Sequence, residues 1–327
     1  MLSSMLQARL LFVFAIVLLL SGCGTAVEPK AVESAGDAKA AAAPPADNKA
    51  SSTIIKQGEP PKSGLPSKIA ITDFRFADSL LALGVKPYAM GSYLGSTTLE
   101  WLDPKALEGV INLGEDGNPE AVLNAQPDFI ISWETQAKLY DNLSKVAPTL
   151  VLGESPHWKA DFRQFAGFLG KTKEAEQWLS RYEDKAKAAK AQLASKIKPD
   201  TTALSMRIVG KEYRIYSDDQ KLGRVIYQDL GFQAPEKVKP IDRRETISLE
   251  ALPEFDADYL FIEVGAPKIG GDKEAQQKFT ELEQSAIWKN LKAVKNNHVV
   301  IVPYWTDLDF PQVNEKSIDL VTSQILK

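Results

Sequence analysis

The chain contains nine arginines, and five of them, Arg207, Arg214, Arg224, Arg243 and Arg244, fall between residues 207 and 244. A guanidinium stays charged and presents a planar fork of donors that suits carboxylates and other clustered oxygens. The clustering therefore predicts contact between an anion and the C-terminal part of the chain. Most such arginines serve solvated faces, so one or two are expected to reach a site. Arg207 leads, because it sits in the apolar run Ala203 to Val209, where a charge needs a partner. Arg224 follows, with Arg243 or Arg244. Aromatic residues stand where apolar strands end: Tyr93 after Ala89-Met90-Gly91-Ser92, Trp133 after Ile130-Ile131-Ser132, and Tyr304-Trp305 after Val302-Pro303. Strand ends are where α/β sheets open onto ligand clefts. These four rings are expected to cover an apolar ligand body or stack on arginine; packing at a lobe edge is their other use.

Catalysis finds no comparable constellation. Cys23 is the single cysteine, no Gly-x-Ser-x-Gly elbow occurs, and no glycine-rich phosphate loop occurs. The two histidines, His157 and His298, are too few for a histidine-rich metal site, and His298 begins a strand. No catalytic residue and no resident metal is assigned. The formal charge of −4, without a basic block, argues against nucleic acid.

The elements that position these residues repeat. Asn118-Pro119-Glu120-Ala121-Val122 and Ser248-Leu249-Glu250-Ala251-Leu252 each open on a helix N-cap residue. Each has a glutamate two places on and an aspartate eight places later, Asp128 or Asp258, before a strand. A second echo sets Leu83-Gly84-Val85-Lys86-Pro87 against Leu230-Gly231-Phe232-Gln233-Ala234-Pro235. Two similar lobes follow, with Glu120 and Glu250 at matching places. A first-turn carboxylate also suits the helix dipole, by about 0.3–1 kcal/mol, but two at matching positions point to docking.

Strands are expected at 69–71, 110–113, 129–131, 150–152, 203–209, 213–216, 259–264 and 299–302. Helices are expected at 74–83, 222–230 and 314–326. Alternation of strands and helices indicates a parallel or mixed α/β sheet. The longest helical signal runs from Thr172 to about Lys198, with Ala175, Trp178, Leu179, Tyr182, Ala186, Ala189, Leu193 and Ile197 at spacings of three and four. At about 39 Å, and midway between the repeat copies, it reads as a rigid connector between lobes.

The N-terminus reads as a targeting segment. Leu10 to Leu20 is an unbroken apolar run, too short to span a bilayer, which needs about 20 residues. Leu20-Ser21-Gly22-Cys23 resembles a bacterial lipobox, which implies cleavage before Cys23 and lipid on that cysteine. The expected organisation is a signal peptide over 1–22, a lipidated and flexible tether over 23–66, an N-terminal lobe over 67–170, an interlobe helix over 171–199 and a C-terminal lobe over 200–327.

Taken in order, several stretches resemble the iron–siderophore substrate-binding lipoproteins of ABC importers, a family that also holds haem and vitamin B12 binding proteins. They are Ala82 to Pro87, Asn118 to Ile131, Leu143-Ser144-Lys145-Val146-Ala147-Pro148-Thr149, the long helix, Ile247 to Leu252, and Trp288 to Pro303. The resemblance implies two Rossmann-like α/β lobes joined by one long rigid helix, a ligand cleft between them and small lobe motion. It implies that Glu120 and Glu250 pair with arginines on the permease subunits, although Pro119 stands where the family usually has leucine. It implies a monomeric, lipid-anchored receptor on the outer face of a Gram-positive membrane, with a ferric siderophore as cargo and no enzymatic activity. A haem or cobalamin receptor of the same fold, or an anchored interaction module, are the other readings.

Overall fold

The computed structural model describes residues 54–327, apart from Leu94, Asp116, Glu154, Pro156 and residues 266–271. Cys23, the expected signal peptide and most of the expected tether lie outside the described residues.

The first sheet has six strands in the order β1-β6-β5-β2-β3-β4. They are β1 (Ile55–Gly58), β2 (Ile69–Ile71), β3 (Ala89–Met90), β4 (Ile111–Asn112), β5 (Phe129–Trp133) and β6 (Thr149–Leu152). β2, β5 and β6 are buried along their whole length, as expected of apolar strands covered on both faces. All pairings are parallel except that of β1, which runs antiparallel to β6. β1 corrects the tether expected to reach residue 66: its polar sequence carries no burial signal, yet its backbone closes the sheet edge.

Helices α1 (Phe76–Ala82), α2 (Pro119–Ala125) and α3 (Tyr140–Leu143) belong to this half. α1 ends before Gly84, whose φ of 72° suits a residue without a side chain. Asn118 caps α2 by accepting the Glu120 amide at 2.9 Å, and Pro119 occupies its first turn.

The chain then leaves β6 through α4 (Trp158–Phe168) and α5 (Thr172–Leu193). The apolar positions expected of the long helix, through Leu193, are all buried on α5. The last turn is non-helical, so α5 spans 22 residues, about 33 Å. Trp158 packs edge-on against Trp178 and Tyr182, so α4 and α5 form a pair.

The second sheet has the order β11-β10-β7-β8-β9. Its strands are β7 (Ala203–Val209), β8 (Glu212–Tyr216), β9 (Arg244–Ile247), β10 (Tyr259–Val264) and β11 (Val299–Val302). β7, β10 and β11 are parallel, while β8 and β9 are antiparallel. The helices are α6 (Lys221–Arg224), continued by a π-type turn over Val225–Asp229, then α7 (Lys273–Gln284), α8 (Ala286–Asn290), α9 (Lys292–Lys295) and α10 (Pro311–Ile325).

The repeat has a structural basis. Asp128 accepts the amides of Ser67 and Lys68 at 2.9 Å, just before β2. Asp258 accepts the Thr202 amide at 2.9 Å and its hydroxyl at 2.8 Å, just before β7. Each aspartate thus ties the start of its own strand to the start of the parallel neighbour. One apolar core includes Ile71, Phe129, Tyr182, Phe232, Phe261 and Val313, and so runs from the first sheet through α5 and α10 to the second.

Candidate functional site

The registers set by the two aspartate clamps place charged and aromatic residues at the C-terminal ends of the parallel strands. In the second half, Arg207 on β7 is the register partner of Glu263 on β10. Arg207 makes ion pairs with Glu263 and with Asp307, which lies in the 3-10 turn Tyr304–Asp307 after β11. Burial raises the Glu263 carboxyl to about 8, against the lowering pull of Arg207. Burial also raises the Tyr216 hydroxyl, with Asp307 adding to it, to about 12.

In the first half, Arg75 follows β2 and pairs with Asp73 at 2.7 and 2.8 Å. Its guanidinium lies 4.3 Å from the centre of the Trp133 ring, a cation–π contact. Next to it, Phe74 packs 4.6 Å from Tyr93, and Tyr93 stacks at 5.6 Å on Tyr304 of the other half. Burial raises the titration of both tyrosine hydroxyls.

Beside this pair opens a cavity of about 390 Å³, bounded by Tyr304 and Glu100 and by the apolar residues Val264, Phe279, Ile301 and Pro303. That volume lies in the range of small-molecule sites. Ile301 is 53% exposed, a large apolar residue open to the cavity.

The sites expected from sequence separate into three groups. Tyr304 lines the cavity, Tyr93 stacks on Tyr304, and Arg207 lies in a small adjoining recess that shares Val302 with the cavity. Trp133 is buried and lines a smaller void of about 40 Å³ with Phe76 and Phe310. Trp305, adjacent to Tyr304, turns into the core and is 6% exposed. Arg224 is buried and held by Asp309 at 2.6 and 2.7 Å, so it ties α6 to the segment before α10. Arg243 and Arg244 are exposed, Arg244 on the edge strand β9. The anionic ligand expected from the arginine cluster therefore loses its support, because Arg207 and Arg224 already have carboxylate partners.

Sequence reasoning missed Arg75, Glu100 and Glu263. Glu263 carried the same signal as Arg207, a charge inside an apolar strand. Arg75 follows the end of a strand, between two phenylalanines.

Glu120 and Glu250 are both exposed. Glu120 sits in the first turn of α2. The helix expected after Ser248 is instead a turn leading into a 3-10 segment over Leu252–Phe255, with Pro253 near its start. Ser248 Oγ still accepts the Ala251 amide at 3.3 Å. The Glu250 carboxyl is held below its ordinary value by its own backbone amide and by Ser248.

Comparison with known proteins agrees with this architecture. The chain is 35% identical over 233 residues to the iron(3+)-hydroxamate-binding protein FhuD of Bacillus subtilis, covering 67% of this chain and 69% of that one. It is 30% identical over 295 residues to the iron(3+)-hydroxamate-binding protein YxeB of the same organism, covering 86% and 88%. Among solved structures it resembles a FhuD fold-family binding component of a ferrichrome ABC transporter from Bacillus subtilis. That match has a TM-score of 0.72 and 28% identity, and covers 84% of this chain and 99% of that one. Residues 69–304 match the periplasmic binding protein family, a family of substrate-binding proteins, and the chain belongs to it.

Proposed function

We propose that this protein is the extracytoplasmic receptor of an ABC importer and that its cargo is a ferric siderophore of the hydroxamate type. The charge of the lining carries this reading: among the described residues that bound the cavity Glu100 is charged and none is a cation, and the arginines at the strand ends are paired. Arg207 is neutralised by Glu263 and Asp307, and Arg75 by Asp73. A triscatecholate or citrate complex of iron is multiply anionic and needs unpaired cations around it. A ferric trihydroxamate has a neutral core and an apolar periphery. The stacked tyrosines and the apolar wall of the cavity match that periphery. The hydroxamate-binding relatives support the same choice.

In this reading the cleft lies between the lobes, near the Tyr93–Tyr304 stack. The continuous core through α5 and α10 favours small lobe movement, as expected of a single linking helix. Glu120 and Glu250 face the permease, one on each lobe, and the receptor acts as a monomer. Lipid on Cys23 holds it on the outer face of the membrane, and the residues between form the tether. The core around iron is the cargo's own chelator, so the protein supplies shape and charge balance and catalyses nothing.

The test is a fluorescence titration of the purified receptor with ferrichrome, ferric citrate and a ferric triscatecholate. Saturable quenching by ferrichrome alone is expected. Quenching by the anionic complexes and none by ferrichrome would sink the hydroxamate assignment, and binding of haem or cobalamin alone would remove the siderophore reading altogether.

A further inference from the structure

The two copies of the repeated element expose the same pattern. In the first lobe Ala121 is half-buried, Val122 is fully buried, and Glu120 and Leu123 are exposed. In the second lobe Ala251 is half-buried, Leu252 is fully buried, and Glu250 and Pro253 are exposed. Each exposed acid is therefore followed, three residues on, by an exposed apolar residue. On α2 that spacing sets Glu120 and Leu123 side by side, one turn apart. In the second lobe the Leu252 amide donates to Leu249 and the Glu254 amide to Ala251, each across three residues. That period of three sets Pro253 beside Glu250 in the same way.

Leu123 is 58% exposed, the most open of the large apolar residues described. A single exposed leucine is ordinary. Here a second apolar residue stands at the same register of the other copy, and each lies beside an acid. Glu254, next to Pro253, is paired with Lys237 at 2.8 Å. Glu120 and Glu250 make no ion pair among the described residues, so their charges are left to a partner. An exposed acid–cation pair is weak and is screened by salt. An apolar contact beside it excludes water, which strengthens the pair, and adds burial of its own.

We propose that Leu123 and Pro253 are the apolar halves of the two permease contacts, and that each permease subunit offers a cation beside an apolar hollow. The contact rests on the docking reading of Glu120 and Glu250 and adds two residues to it. Neither of them lines the cavity. Leu123 has the larger side chain and contributes more than Pro253.

The experiment measures radioactive iron uptake, per receptor, by cells carrying the full-length wild type, Leu123→Ser, Pro253→Ser, the two changes together, or Leu326→Ser. Leu326 is an exposed leucine outside the repeat and serves as the control. The probe is whichever of ferrichrome, ferric citrate and a ferric triscatecholate the purified wild-type receptor binds, and its affinity for each purified variant is measured alongside. Leu123→Ser is expected to lower uptake about ten-fold, the scale of one buried leucine. The double variant should lower it further, with cargo affinity unchanged throughout and uptake unchanged in Leu326→Ser. Full uptake by the Leu123→Ser, Pro253→Ser double variant overturns the inference. So does an equal loss in Leu326→Ser, or a weakened cargo affinity that accounts for the loss. Glu120→Arg with Glu250→Arg in the same assay separates the two layers. Loss there beside full uptake in the apolar double variant removes the apolar contact and keeps the docking reading; full uptake in both removes both.

Discussion

Glu263 stands directly across from Arg207 in the parallel pair β10–β7. Asp258 and Thr202, 56 residues apart, clamp the start of the same pair, and that offset carries along the strands to bring 263 beside 207. Removing the guanidinium would leave Glu263 buried, and Asp307 part-buried, without their partner. Arg207→Ala is therefore expected to cost about 3–5 kcal/mol of stability, read from urea unfolding. Arg243→Ala and Arg244→Ala, on exposed positions, should stay within about 0.5 kcal/mol of the wild type. A similar small loss for all three would show that the Arg207 pairs contribute little.

Asp78, fully buried on α1, joins distant parts of the chain. It accepts the amides of Gln312 and Val313 at 2.9 and 3.2 Å, at the start of α10, and the Trp101 indole at 2.8 Å. Burial pushes its carboxyl from 3.8 up to about 7, against these hydrogen bonds, which lower it. Between those values the folded protein keeps a proton that the unfolded chain releases. The contribution of Asp78 is thus fully present below about pH 4 and is lost as pH rises through about 7. Unfolding midpoints measured from pH 4 to 7 should fall less steeply in Asp78→Asn than in the wild type. Glu263, raised in the same direction, retains part of the slope in the variant. Parallel profiles for the two proteins would contradict this role.

The two strand clamps predict a matched pair of effects. Burial raises Asp128, but hydrogen bonds from Ser67 and Lys68 outweigh it and hold the carboxyl below its ordinary value. Asp258 is held low in the same way by Thr202. Both contribute stability above the ordinary carboxylate range that disappears as pH falls through their lowered values. Asp128→Ala and Asp258→Ala should each cost about 1–2 kcal/mol. They lie in different sheets, so their costs should add in the double variant. Strong non-additivity in thermal or urea unfolding would mean that the two halves are not separately clamped.

Charge reversal at the exposed pair separates docking from capture. Glu120→Arg with Glu250→Arg should abolish iron uptake in cells while the purified receptor keeps its affinity for ferrichrome. Either change alone should give partial loss, because exposed ion pairs are individually worth about 1 kcal/mol or less. Unimpaired uptake by the double variant would remove both acids from the permease contact.

The elements were largely legible because local patterns dictate them. Tyr259–Val264 is apolar apart from Glu263, and α5 buries the positions its spacing selects. The Asn118 and Ser248 elements pointed to the repeat, and their aspartates proved to be its clamps. Charge was read less well, because the partners of an arginine are supplied by the fold. Arg207 meets Asp307 from 100 residues away, and Arg224 meets Asp309 from 85. Neither partner is visible in a window around the arginine, so a cluster of cations looked like an anion site. Tyr304 and Trp305 show the same limit at short range. They are adjacent in one 3-10 turn, and the turn alone decides which ring faces the cavity and which enters the core.

The most direct test of the account is the affinity of the purified receptor for ferrichrome, followed by tryptophan fluorescence, in the wild type and in Tyr304→Ala. Saturable binding is expected of the wild type and a loss of about ten-fold or more of the variant, whose fold should stay intact because Tyr304 is only half-buried. No binding of ferrichrome, or equal binding by a variant without the tyrosine stack, would contradict it.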